Sequence, residues 1–198
     1  KNTLLPDGSL DKTTTKTYTD AQRIIAGSPY PTLMAGLTNT VTYKNFDFSL
    51  TFQGEWGASI YNEAGKFQSS NARYKDNQTK DQMDRWQNPG DITNVPQARW
   101  GRSNGEQTST RYLEKTDFVR LRNLSLGYTL PKTVTQKVSV DRLRVYVTGV
   151  NLLTFTNYNG YDPESSYDNN GDSNIQKGIA FYSAPPAKTI IVGLNIEL

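Results

Sequence analysis

The chain contains no cysteine and no histidine, and only two methionines. Without imidazole there is no Ser-His-Asp triad, no HExxH zinc helix and no side chain that ordinarily changes charge near neutral pH. Without thiols there is no cysteine nucleophile, no zinc–thiolate site and no disulfide framework, while the redox compartment stays open. No apolar run approaches the ~20 residues of a transmembrane helix. The opening Lys1-Asn2-Thr3-Leu4-Leu5 has neither the charged nor the apolar region of a signal peptide. Neither absence speaks against a membrane β-barrel, whose strands are apolar only at alternate positions. Charge is also thin: 22 Lys/Arg against 19 Asp/Glu leave a net +3. No basic cluster with interleaved aromatics marks a nucleic-acid surface, so no nucleic-acid partner is expected.

What is present is alternation. The chain has 198 residues, 35 % of them hydrophobic, and five segments repeat apolar residues at period two. In residues 46–56, Phe46, Phe48, Leu50, Phe52 and Trp56 share a face with Gly54, opposite Asp47, Ser49, Thr51, Gln53 and Glu55. In residues 33–43, Leu33, Ala35, Leu37, Val41 and Tyr43 alternate in the same way, interrupted by Asn39. Lys44-Asn45 between them suits a two-residue turn, which pairs Tyr43 with Phe46 and brings the apolar faces together. Residues 117–130 carry Leu124, Leu126, Tyr128 and Leu130 on one side and end at Pro131. Residues 142–155 and 188–198 complete the set, with Leu143, Val145, Val147 and then Ile190, Val192, Leu194 and Ile196 in phase.

Short and long connections alternate along the chain. Residues 44–45 and 131–141 are short, whereas 57–116 and 156–187 are long. Short periplasmic turns with long extracellular loops are the layout of an outer-membrane barrel, and a soluble sandwich rarely carries so long an unstructured excursion. On this reading 1–32, 57–116 and 156–187 are extracellular, and 33–198 hold the barrel strands. Tyr43, Phe46 and Tyr128 would form the periplasmic aromatic girdle, with Trp56 and Phe155 at the outer one. Phe46, Phe48, Leu50, Phe52, Leu124 and Leu126 are then expected to face lipid. Simple alternation carries Arg120 and Arg122 onto that lipid phase near the outer rim. They snorkel as solvated charges, are displaced by a bulge that flips the phase, or touch anionic headgroup phosphates.

With the strands placed, several phrases resemble one family. Gly36-Leu37-Thr38-Asn39-Thr40-Val41-Thr42-Tyr43-Lys44-Asn45-Phe46-Asp47-Phe48-Ser49 is similar to its recurrent hairpin, and Trp86 to Pro96 to its W-x-x-P-G-D loop. Asp117 to Pro131, Tyr146 to Phe155 followed by Gly160-Tyr161-Asp162-Pro163-Glu164, and Pro186 to Leu198 resemble three further motifs, in the family's order. The family is the SusC/RagA-type TonB-dependent outer-membrane transporters of Bacteroidetes. The resemblance runs from about residue 20 onward and departs at Leu198, where the family usually has an aromatic residue. It implies an all-β fold in which these antiparallel strands form the C-terminal arc of a plugged transmembrane barrel of about 22 strands. It also implies a SusD-like surface lipoprotein as lid, and the TonB complex acting through an N-terminal part with no counterpart here. Five strands are fewer than the eight of the smallest single-chain barrels, so the edges are expected to pair with chain outside this sequence.

The function expected is TonB-energised import of oligosaccharides or oligopeptides, without enzymatic activity. The alternative is a secreted β-sandwich that binds glycans. Substrate contact is expected at Trp86, Trp100 and Tyr61 in the long loop, where aromatic faces suit sugar or peptide, and at Glu55 on the polar face. Against this, a loop tryptophan often packs its own loop, and Pro89-Gly90-Asp91 is a turn signal first. Asp168, Asn170 and Asp172, with Asn174, have the alternating oxygens of a calcium loop but lack its glycine and closing glutamate. A Ca²⁺ ion is therefore a weaker reading than a polar loop tip. Asp162 and Glu164 lie too close in sequence to flank a glycosidic bond from opposite sides.

Overall fold

The computed structural model describes residues 4–9, 11–164 and 177–198. Eight strands follow in chain order: β1 Leu33–Tyr43, β2 Phe46–Trp56, β3 Ser59–Asn62, β4 Leu113–Lys115, β5 Phe118–Thr129, β6 Arg142–Thr156, β7 Ile179–Ala180 and β8 Thr189–Glu197. The long ones form a five-stranded sheet in the order β1-β2-β5-β6-β8, and the short ones a second sheet in the order β4-β3-β7. Every pair in the large sheet is antiparallel. Each long strand lies beside its predecessor among the long strands, the up-and-down order of a barrel wall. No helix among the described residues is long and apolar enough to cross a membrane. The chain divides into two compact units, residues 28–60 with 114–198, and residues 1–27 with 61–113.

The sheet belongs to the first unit. Tyr43 pairs with Phe46 across Lys44-Asn45, as alternation and turn length require. The positive φ of this turn falls on Lys44, at 54°, rather than on the more tolerant Asn45. From that pair the register runs without interruption to Leu33 opposite Trp56. Phe48 then meets Leu126, and Leu50 meets Leu124, across β2 and β5. Val147 lies between Leu126 and Val192. One face is therefore apolar from edge to edge, and nothing among the described residues covers it. Val41 is 51 % exposed and Val192 73 %. A sandwich would bury such a face against a second sheet.

Arg120 and Arg122 do not lie on it. The β2–β5 register pairs Thr51 with Asn123 but Phe52 with Leu121, leaving Arg122 unpaired as a bulge. Opposite it, β6 is irregular between Val150 and Leu153, and Asn151 has φ 54°. The extra residue inverts the alternation, so Leu121 joins the apolar face and Arg120 pairs with Gln53 on the polar one. Of the three readings open in the sequence, the bulge is the one realised: both arginines pair with Asp162 and Glu164 on the polar face, neither snorkelling from the lipid face nor touching headgroups.

The polar face is tiered. Hydroxyls pair across its middle: Thr38 with Thr51 at 3.1 Å, Thr40 with Ser49 at 3.4 Å, and Ser125 with Thr148 at 2.9 Å. At the short-turn end Arg144 Nε donates to Asp47 at 2.9 Å, and its guanidinium lies 4.9 Å from the Tyr146 ring. Gly127 leaves room for that pair, since a Cβ there would sit 2.5 Å from Asp47 Oδ1.

The second unit is held by side chains more than by ladders. Its helix α1, Glu63–Gln68, is capped by Asn62 Oδ1, which accepts from Gly65 N–H at 2.8 Å. Glu106 is 1 % exposed, accepts from Ser103 Oγ at 2.8 Å and Asn104 N–H at 2.7 Å, and ion-pairs with Arg73. Burial alone would raise its carboxyl pKa, but Ser103, the backbone amides and Arg73 together hold it below the ordinary value.

Candidate functional site

The most organised polar cluster lies on the polar face toward the long-loop end. Arg120, 1 % exposed, donates from Nη2 to Asp162 at 2.5 Å and places Nη1 2.8 Å from Glu164 Oε2. The second contact is an ion pair without hydrogen-bond alignment, because Glu164 Oε2 has no aligned donor. Arg122, turned inward by the bulge, ion-pairs with Glu164, donates from Nε to Gln53 at 2.9 Å and reaches Asn151 Oδ1 at 3.4 Å. Asn151 in turn donates to the Ala187 carbonyl at 3.5 Å. Two guanidiniums thus meet two carboxylates, and charge balances within the cluster. Phe118, 2 % exposed, lies beneath Arg120, with the guanidinium 5.5 Å from its ring.

The carboxylates arrive on the segment after β6. Tyr158 anchors it, packing with Ile60 and Ala180 in a small buried cluster. Burial, then the nearby Glu114 and Asp162 carboxylates, push the Tyr158 hydroxyl pKa up to about 12. It therefore stays protonated through the neutral range.

The residues picked out in the sequence do not converge. Glu55 lines a cavity of about 110 Å³ with Ser59, Thr116, Glu164 and Lys177. Tyr61 lines a separate groove of about 1200 Å³ with Tyr18, Arg23, Ile24 and Thr110. Trp86 is half-buried, whereas Trp100 is 71 % exposed. Around Trp86, the backbone amide donates to Val95 at 2.9 Å, and Asp91 accepts the Gln87 and Asn88 N–H groups at 2.9 and 2.8 Å. Those two backbone bonds hold the Asp91 carboxyl below its usual pKa, and Gly90 takes φ 102°. The Pro-Gly-Asp unit is thus a self-closed turn. Asp168, Asn170 and Asp172 lie outside the described residues, and among the described residues no group of three or more acidic side chains is gathered to hold a metal.

The Arg120–Asp162 and Arg122–Glu164 pairs were not legible as pairs in the sequence. Simple alternation puts each arginine on the apolar phase, and each partner lies 42 positions away. The available signal was the coexistence of Asp117 to Pro131 and Gly160 to Glu164 as family-like motifs.

No family model matches the chain. Among curated proteins it is 38 % identical over 89 % of its length to TonB-dependent receptor P3 of Formosa agariphila. It is also 34 % identical over 87 % to TonB-dependent receptor P26 of the same organism. TonB-dependent receptor SusC of Bacteroides thetaiotaomicron is 27 % identical over 95 % of the chain. The chain spans 17–18 % of the length of these relatives. Among solved structures, the RagAB peptide importer in its closed-closed state matches 98 % of the chain and 20 % of its own, with TM-score 0.77 and 27 % identity. Its open-open state matches 96 % of the chain and 20 % of its own, with TM-score 0.79 and the same identity. With the family-like motifs, the meander order and the uncovered apolar face, these likenesses have one common explanation. The chain belongs to the SusC/RagA-type TonB-dependent transporters, and its large sheet is an arc of their β-barrel.

Proposed function

We propose that this arc is part of the wall of an outer-membrane nutrient importer energised through TonB, carrying oligosaccharides or oligopeptides. The observation that carries the reading is the five-strand meander with one face apolar from β1 to β8 and the other built of hydroxyls and ion pairs. In a barrel the first face meets hydrocarbon and the second meets the lumen. Phe46, Phe48, Leu50, Phe52, Leu124 and Leu126 are then lipid-facing, and Glu55, Gln53 and Asp47 lumenal. A surface lipoprotein of the SusD type is the partner proposed for the long loops.

Substrate contact is proposed at Tyr61 and Trp100, the first in a large groove and the second open to solvent, with Glu55 at the long-loop end of the wall. Trp86 is a weaker candidate because its own loop partly covers it. The test is deletion of the full-length gene and uptake of labelled oligosaccharide and oligopeptide mixtures. Loss of uptake of one class, reproduced in the parent by a protonophore, supports the proposal. Unchanged uptake of both classes with the receptor absent refutes it.

A further inference from the structure

Residues 157–164 cross the polar face of the sheet without joining it. The backbone N–H of Tyr158 goes to Thr156 Oγ1 at 3.0 Å, that of Asn159 to Glu114 Oε2 at 3.3 Å, and that of Glu164 to Asp162 Oδ1 at 2.9 Å. All three acceptors are side chains, so these amides have no share in a strand ladder. Asp162 and Glu164 tie the segment to the wall through Arg120 and Arg122, and Tyr158 holds it by packing with Ile60 and Ala180. Between them the two arginines draw on β5 alone, whereas β2 and β6 contribute Gln53 and Asn151 as supports.

This lock is buried but incompletely satisfied. Arg120 is 1 % exposed, and its Nε–H has no partner among the described residues. Glu164 Oε2 is held by charge without an aligned donor. A fully bonded buried network rigidifies its surroundings, while one with unmet donors and acceptors gives back part of its stability. The sheet below is different in kind. Its ladders continue on both sides of the bulge, and opening them breaks many backbone bonds at once.

We propose that residues 157–164 form a strap that leaves the polar wall as one unit while β5 and β6 stay paired, with Arg120 and Arg122 as its lock. The bulge at Arg122 exists, on this account, to aim a second guanidinium at Glu164; regular alternation would have sent it to the opposite face. Release uncovers two arginines on the polar face and detaches the segment that Tyr158 anchors.

Hydrogen exchange read by mass spectrometry on the full-length receptor in detergent tests this, and needs no knowledge of the transported solute. In the wild type, amides of 158–164 are expected to exchange together, at least ~100-fold faster than those of β5 and β6. Glu164→Gln is expected to speed strap exchange about tenfold further, since it removes a charged partner from both arginines. Asp47→Asn breaks an ion pair at the other end of the same face and is expected to leave the strap unchanged. Strap amides that exchange in step with β5 and β6 overturn the proposal in the wild type alone. So does a strap indifferent to Glu164→Gln, or one accelerated equally by Asp47→Asn.

Discussion

Replacing Leu50 by arginine tests the orientation of the sheet most directly. Leu50 lies in β2 between Phe46 and Trp56, paired with Asn39 and Leu124. With a ~3.3 Å rise per residue and a ~40° tilt, each residue climbs about 2.5 Å. Leu50 is then about 10 Å from the level of Phe46 and about 15 Å from Trp56, near the middle of a ~25 Å apolar band. An arginine at that depth costs about 2–4 kcal/mol, or roughly 30- to 700-fold in the folding equilibrium. Tyr43, at the end of β1 and 66 % exposed, sits at the interfacial level, where the same substitution costs about 0–1 kcal/mol. On a water-facing surface both changes would stay within about 0.5 kcal/mol. The assay is equilibrium unfolding in urea of the full-length receptor inserted in lipid vesicles, comparing Leu50→Arg, Tyr43→Arg and wild type. A depth-dependent cost is the expected result. Equal costs at the two positions, or a Leu50→Arg cost below about 0.5 kcal/mol, would refute the lipid-facing assignment.

Other outcomes follow from the same structure. Gly127→Ala puts a methyl against the Arg144–Asp47 pair and is expected to destabilise by about 1–3 kcal/mol, read as a lowered midpoint in the same unfolding assay; no change would mean the pair moves aside freely. The lowered Glu106 pKa makes its stabilising contribution present above the ordinary carboxylate range and lost as pH falls through the folded-state value. Protection of the 61–113 amides, taken relative to their intrinsic exchange rate at each pH, is therefore expected to fall on acidification below about pH 4.5, and Glu106→Gln should remove that fall. Trp100→Ala is expected to leave the folded receptor intact, because the ring is 71 % exposed, while weakening capture of the transported solute about tenfold or more; full affinity in this variant would remove Trp100 from the binding surface.

The part of this fold that could be read from residues alone is the part that depends on near neighbours. Alternation in 33–43 and 46–56, with two residues between, leaves one register that puts both apolar faces together, and Tyr43 does pair with Phe46. Even there the turn resolved its geometry on Lys44 rather than Asn45. The Pro89-Gly90-Asp91 turn was equally local, with Asp91 closing onto amides three and four residues away. Burial in the long loop was not: nothing in the sequence separates half-buried Trp86 from exposed Trp100. Tyr61 and Glu55 are near in sequence and line different cavities.

The sequence by itself determined the five long strands, the first hairpin's register and the family, because period-two alternation, turn length and motif order are properties of consecutive residues. The short β3, β4 and β7, inside segments read as loops, are too brief to show alternation. Which face Arg120 and Arg122 occupy was decided only by the tertiary structure. A single unpaired residue inverts every position beyond it, and counting by twos contains no signal for where the ladder slips. The pairing of those arginines with Asp162 and Glu164 belongs to the same class. It joins positions 42 apart, so it exists only once β5 is bulged and the segment anchored by Tyr158 has crossed the sheet.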